Sequence, residues 1–158
     1  MNLIFIKKAV MFSSFLLALM LATETVLTAP PAEPRPMALP NPVLFFMGQE
    51  PTTIEGKQMI RYNFAVDNFS SYPDELFSPA PELPPCGKNT KASRTWVDIY
   101  EQSGKRLNGF CALGKASDLK KIWFVLEQSV TPPSWVYIEL TDRKTNTKYK
   151  SNLAETSL

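Results

Sequence analysis

The sequence predicts an all-β protein, an antiparallel β-sandwich of about seven strands. Apolar residues recur at every second position in short runs, turn-forming residues separate those runs, and no long helical periodicity appears beyond the N-terminus. Short strands of this kind packed into roughly 110 residues, without alternating helices, favour a sandwich over folds built from strand–helix–strand units.

The clearest strand is Ile60–Asp67, where Ile60, Tyr62, Phe64 and Val66 point one way and Arg61, Asn63 and Asp67 the other. Val43–Phe46 precedes it as a shorter strand. Thr95–Glu101, the turn Gln102–Lys105 and Arg106–Leu113 read as a hairpin, with Asn108-Gly109 suggesting a bulge or a local turn in the second arm. Ile122–Leu126, Ser134–Thr141 and Thr147–Ser151 supply three more strands, the last two joined across residues 142–146. The alternation assigns to the core Val43, Phe45, Ile60, Tyr62, Phe64, Val66, Val97, Ile99, Phe110, Ile122, Phe124, Leu126, Val136, Ile138 and Leu140. The domain is thus expected over residues 43–152, with 153–158 as a C-terminal tail.

Lys7 and Lys8 stand before Ala9–Thr23, a stretch of about 15 uncharged and mostly apolar residues, the layout of a secretory signal peptide. The stretch is short for a membrane span, which takes roughly 20 residues. Ala22 and Ala29 offer cleavage points, and the signal peptide is assigned to residues 1–29; an uncleaved signal anchor and a core helix are the alternatives. The expected destination is the periplasm or the exterior. Residues 30–42 hold prolines at 30, 31, 34, 36, 40 and 42, which fix φ and remove N–H donors, so this stretch reads as an extended spacer.

Export to an oxidising compartment predicts that Cys86 and Cys111 form a disulfide. Such a bridge would close a loop worth roughly 3 kcal/mol by the chain-entropy model. It would tie down the long connection from Asn68 to Arg94, which carries Pro73, Pro79, Pro81, Pro84 and Pro85. Connections of this length bind partners or pack over the fold as lids, and Tyr72, Leu76 and Phe77 are suited to cap one end of the sandwich.

Composition excludes much chemistry. The 158 residues contain no histidine and two cysteines, so Ser-His-Asp and Cys-His systems and His-ligated metals are ruled out. No glycine-rich phosphate loop occurs. Removing Lys7, Lys8 and Glu24 with the leader brings the net charge from +2 to about +1, and the densest basic pair left is Lys120-Lys121, so nucleic acid is not an expected partner. No cofactor or metal is expected, and the membrane is expected to be touched only through the leader if that stays uncleaved.

The pieces PELPPCGKNTKASRTWVDIY and GFCAL, with YPDELF before and SWVYIELTDRKTNTKY after, resemble an uncharacterised family of small secreted bacterial proteins. The resemblance covers Tyr62–Asn152 and implies an extracytoplasmic sandwich of the immunoglobulin or fibronectin type III kind, without implying an activity.

If the alternating residues face the core, the opposite faces carry Trp96 and Tyr100, Trp123, and Trp135 and Tyr137, with Asp98 and Glu139 beside them. Exposed aromatic rings stack on sugars or anchor protein partners, because they bury large area at little cost in rotamer entropy. The competing reading is that the long loop or the spacer covers them, or that one strand faces the other way. The leading functional expectation is a secreted or periplasmic, non-enzymatic binding module for a protein or glycan. A structural or assembly role at the cell envelope, pairing through a sheet edge, comes second. A carboxylate-based glycan hydrolase using Asp98 or Glu139 comes third.

Overall fold

The computed structural model describes residues 38–86, 92–112 and 114–157. The signal peptide expected at 1–29 and the spacer as far as residue 37 lie outside the described residues. Leu44–Ile54 (β1), Lys57–Val66 (β2) and Ile122–Glu127 (β5) form one antiparallel sheet in the order β1-β2-β5. Thr95–Glu101 (β3), Arg106–Ala112 (β4), Trp135–Asp142 (β6) and Thr147–Lys150 (β7) form the second in the order β4-β3-β6-β7. Ala154–Glu155 (β8) adds to β6 through Val136 and Trp135. The fourth strand pairs with the third, whereas in constant-type immunoglobulin domains it joins the first-strand sheet.

Tyr62, Phe64, Ile122 and Phe124 of the first sheet meet Val97, Ile99, Ile138 and Leu140 of the second in one core. Tyr62 and Phe64 both stack on Phe124, with centroids 5.0 and 5.7 Å away. Each such side chain contributes about 1.5–3 kcal/mol by leaving water. The alternation in β2, β3, β5 and β6 therefore points as the sequence implies; Ile60, Phe110 and Leu126 sit at the margin, half-buried.

β1 departs from the expectation in two ways. Leu44 is buried and Phe46 packs on the core, whereas Val43 and Phe45 are 47% and 40% exposed, so the strand faces the opposite way. Four apolar residues in a row carry no period, and the choice is made by the Asn152 amide, which accepts from Leu44 N–H at 2.8 Å and donates to its carbonyl at 2.9 Å. The strand also runs on to Ile54 and turns through Glu55 and Gly56, both with positive φ (51° and 80°), the two-residue turn whose twist suits a hairpin.

The long connection is part of the core. Two short 3-10 turns, Phe69–Ser71 and Asp74–Phe77, deliver Tyr72, Leu76 and Phe77 into the end of the sandwich at 3%, 3% and 0% exposure. The Tyr72 hydroxyl donates to Pro40 C=O at 2.6 Å, and burial pushes that phenol above its usual range. Thr95 Oγ1 donates to Leu76 C=O, and Gly114 N–H to Phe77 C=O at 3.1 Å, so the segment's polar backbone is satisfied where it is buried. The stretch expected as a tail is likewise part of the domain: Ala154 and Thr156 are buried, and Thr156 N–H donates to Ser134 C=O at 3.1 Å.

The expected disulfide is not formed. Cys86 and Cys111 are separate thiols outside bonding distance. Cys86 is buried beneath the loop, where Arg143 Nη1 donates to its sulfur at 2.8 Å. Cys111 pairs across from Trp96 and so faces outward on β4. The loop is held instead by charge. Arg94 donates from Nε and Nη2 to the two carboxylate oxygens of Asp142 at 2.9 and 2.8 Å, while Arg143 also donates to Ser93 C=O and Pro84 C=O, each at 2.8 Å.

Candidate functional site

The structure divides the five predicted aromatic site residues between two surfaces. Trp96 and Tyr100 on β3 and Trp135 and Tyr137 on β6 share the outer face of the second sheet, because Tyr100 pairs directly with Tyr137 in the β3–β6 register. Trp123 lies on the outer face of the first sheet.

On the second sheet Trp96, Tyr100 and Tyr137 are already engaged, while Trp135 is 39% exposed with no stacked ring or cation among the described residues. Tyr100 and Tyr137 stack at 5.2 Å with 19° between their planes. Arg106 lies over Trp96 at 5.6 Å and donates to Asp98 Oδ1 at 2.5 Å; Lys150 sits 4.0 Å above Tyr137. Lys148 donates to Glu139 Oε1 at 2.7 Å, which raises the lysine's pKa. Asp98 and Glu139 are thus cross-strand neighbours, each with its own cation, on an open sheet face. A sugar ring needs an uncovered aromatic face, and here a cation or another ring lies against Trp96, Tyr100 and Tyr137, which leaves Trp135 alone open.

Gly109 explains how Arg106 gets there. It is not a turn: it pairs with Asp98 inside the ladder, and the register irregularity falls between Ile99 and Tyr100. A Cβ at this position would overlap the Arg106 guanidinium and the Asp98 carboxylate, so the absent side chain is what lets Arg106 cross the strand. Gly109→Ala is expected to displace Arg106 and uncover Trp96, at a cost of no more than about 1 kcal/mol because the ion pair is half exposed. Steady-state fluorescence should show Trp96 becoming more quenchable by acrylamide, with the unfolding midpoint nearly unchanged.

The first sheet also exposes large apolar side chains on its outer face. Phe45 is 40%, Met47 58% and Trp123 40% exposed. A depression of about 270 Å³ runs among Phe45, Met47, Ala65, Phe69 and Lys120, and a second of about 330 Å³ lies among Met47, Arg61, Asn63, Lys121 and Trp123. Met47 forms the ridge between them. It reaches outward because the bulge between Phe46 and Gly48, with Gly48 at φ 121°, leaves Met47 unpaired. Arg61 covers one side of Trp123 at 5.0 Å and Lys120 lies 4.3 Å over Phe69. Lys120 and Lys121 form no ion pair among the described residues. Sequence reasoning missed this surface because it rests on the inverted facing of β1; Trp123 was the one residue that signalled it.

A groove of about 530 Å³ lies between β1 and the C-terminal segment and is lined by Phe46, Gln49, Ser134, Glu155 and Thr156 among others, with Glu155 its one carboxylate among the described residues. Among the described residues no group of three or more His, Cys, Asp or Glu is placed to hold a metal ion, and no helix is long and apolar enough to cross a membrane. Comparison of the chain with protein-family models, curated proteins and solved structures finds no match.

Proposed function

We propose that the chain is an exported, non-enzymatic binding module that engages a protein partner through the outer face of its β1-β2-β5 sheet. The observation that carries this is the gathering of exposed Phe45, Met47 and Trp123 around two adjoining depressions. A flexible methionine between aromatic residues suits a surface that moulds to apolar side chains, and such an exposed cluster is uncommon on a surface that binds nothing. A protein is favoured over a glycan because, within this face, the Trp123 ring lies under Arg61 and the open apolar area is that of Phe45 and Met47. Export rests on the charged, then apolar, N-terminal sequence.

A photo-crosslinking amino acid placed at position 47 in the producing cell is expected to give a discrete adduct. The same group at Ser103, in the turn at the far end of the β3–β4 hairpin, is expected to give none. Met47→Asp should remove the adduct formed from a crosslinker at position 45. If positions 47 and 103 label indistinguishably, this face is not the binding site.

A further inference from the structure

A strand edge with unpaired N–H and C=O groups is a template for another strand, and proteins blunt such edges with bulges, prolines, charges or short strands. β1 has its bulge, Pro51 and the Asn152 amide over Leu44. β4 has a register irregularity and Arg106; β7 has Lys148 and Lys150; β8 is two residues long. β5 reads IWFVLE, with no proline, lysine or bulge.

Its backbone direction is fixed by two hydrogen bonds. Gln128 N–H donates to Gln58 C=O at 3.2 Å, which puts the even-numbered groups toward β2. Asn108 Nδ2 reaches Trp123 C=O from the opposite sheet at 3.1 Å, which puts the odd-numbered groups on the open side. Glu127 C=O is taken by Val130 N–H at 2.9 Å. The N–H and C=O of Val125 have no protein partner among the described residues.

We propose that this edge pairs antiparallel with the same edge of a second copy of the chain, about a two-fold axis at Phe124. Outward-facing residues must meet outward-facing residues, so the axis falls on a residue, and the two positions that pair most of Ile122–Glu127 are Phe124 and Val125. With the axis at Val125, Trp123 lies opposite Glu127 and Lys121 opposite Ser129. With the axis at Phe124, Trp123 lies opposite Val125, and Lys121 opposite Glu127, at both ends of the pair. The segment from Lys121 to Glu127 is therefore complementary to itself, cation to anion with apolar residues between, and that is why the occupant is a second copy. Both charges are available: Lys121 has no ion pair among the described residues, and the Lys57–Glu127 pair is 70% and 51% exposed and weakly held. The Trp123 carbonyl has a second lone pair beside the one Asn108 uses. The product is a continuous six-stranded sheet, and Phe45 and Met47 stay open on its face.

A contact of this size gives a weak dimer, with Kd on the order of 10 µM to 1 mM. The full chain, expressed with its own N-terminal segment, is to be followed by sedimentation equilibrium from about 5 µM to 1 mM. A monomer–dimer equilibrium is expected. Lys121→Glu and Glu127→Lys should each weaken it about tenfold by setting like charges opposite each other twice, and the double variant should restore it to within about threefold. Val125→Pro removes an N–H that the β2 ladder does not use, so the circular dichroism spectrum should persist while the dimer is lost. A chain that stays monomeric throughout the range overturns the proposal. So does a dimer that the single reversals leave intact or that the double reversal fails to restore.

Discussion

Phe77→Ala is expected to cost about 3–5 kcal/mol, a third or more of the stability typical of a domain this size. The ring is 0% exposed and lies in the core cluster with Leu76 and Tyr72, all three carried by the connection between β2 and β3. Truncation leaves a cavity whose walls are strands fixed by their own ladders, so the space does not collapse. The melting temperature should fall by about 10–25 °C, while Pro81→Ala, at an exposed position of the same connection, should change stability by no more than about 0.5 kcal/mol. A fall of less than about 3 °C for Phe77→Ala would mean the connection merely drapes over the fold.

The second large effect is at Asp142. Its carboxyl is held below its ordinary value of 3.8, first by the Arg94 guanidinium and then by Lys144 N–H and the Thr145 hydroxyl, against the opposing effect of burial. The side chain is 5% exposed and that of Arg94 27%. Asp142→Asn breaks the bidentate pair and leaves the guanidinium with water as its remaining partner on one side, which should cost about 2–3 kcal/mol, toward the lower end for a buried pair. The pH dependence has a definite sign. A carboxyl whose folded pKa is depressed contributes stability that is complete above its unfolded value, about 3.9, and is lost as pH falls through the lower folded value. Urea denaturation at pH 6, 4, 3 and 2 should therefore show the wild-type advantage over Asp142→Asn intact at pH 6 and shrinking below about pH 4. An advantage that does not change with pH would remove the charge from the explanation.

The strands that can be read from sequence are those with one wet and one dry face. Ile60–Val66 and Trp96–Tyr100 alternate because core and solvent alternate along them. The distal half of the β1–β2 hairpin, Pro51–Met59, is mostly exposed on both faces, so nothing in its residues marks a strand except the Glu55-Gly56 turn. Val43–Phe46 is apolar throughout, and its facing depends on Asn152, more than a hundred positions away in the chain. The binding surface inherited that ambiguity: Phe45 was assigned to the core, while Met47 gave no signal at all. The disulfide expectation followed from compartment and cysteine number, yet cysteine number says nothing of which way β4 presents Cys111. Arg94 and Asp142 were invisible as partners because their meeting is a product of the β3–β6 register, in which Thr95 stands opposite Asp142.

The Asn152 amide also sets how the domain bears load. Tension arriving along residues 38–42 is first taken by the Tyr72 hydroxyl on Pro40 C=O and by Asn68 Nδ2 on Asn41 C=O, and then passes to Val43 and Leu44. There it meets Asn68 Oδ1, which accepts from Val43 N–H at 2.9 Å, Asp67 N–H, which donates to Val43 C=O at 2.9 Å, and the two bonds of Asn152. Those four bonds connect the start of the first strand to the residues just after the second and to the link between the seventh and eighth, so a pull on the chain entering the first strand is shared between the two sheets. A domain fastened this way resists peeling from its first strand, and Asn152 is the rivet.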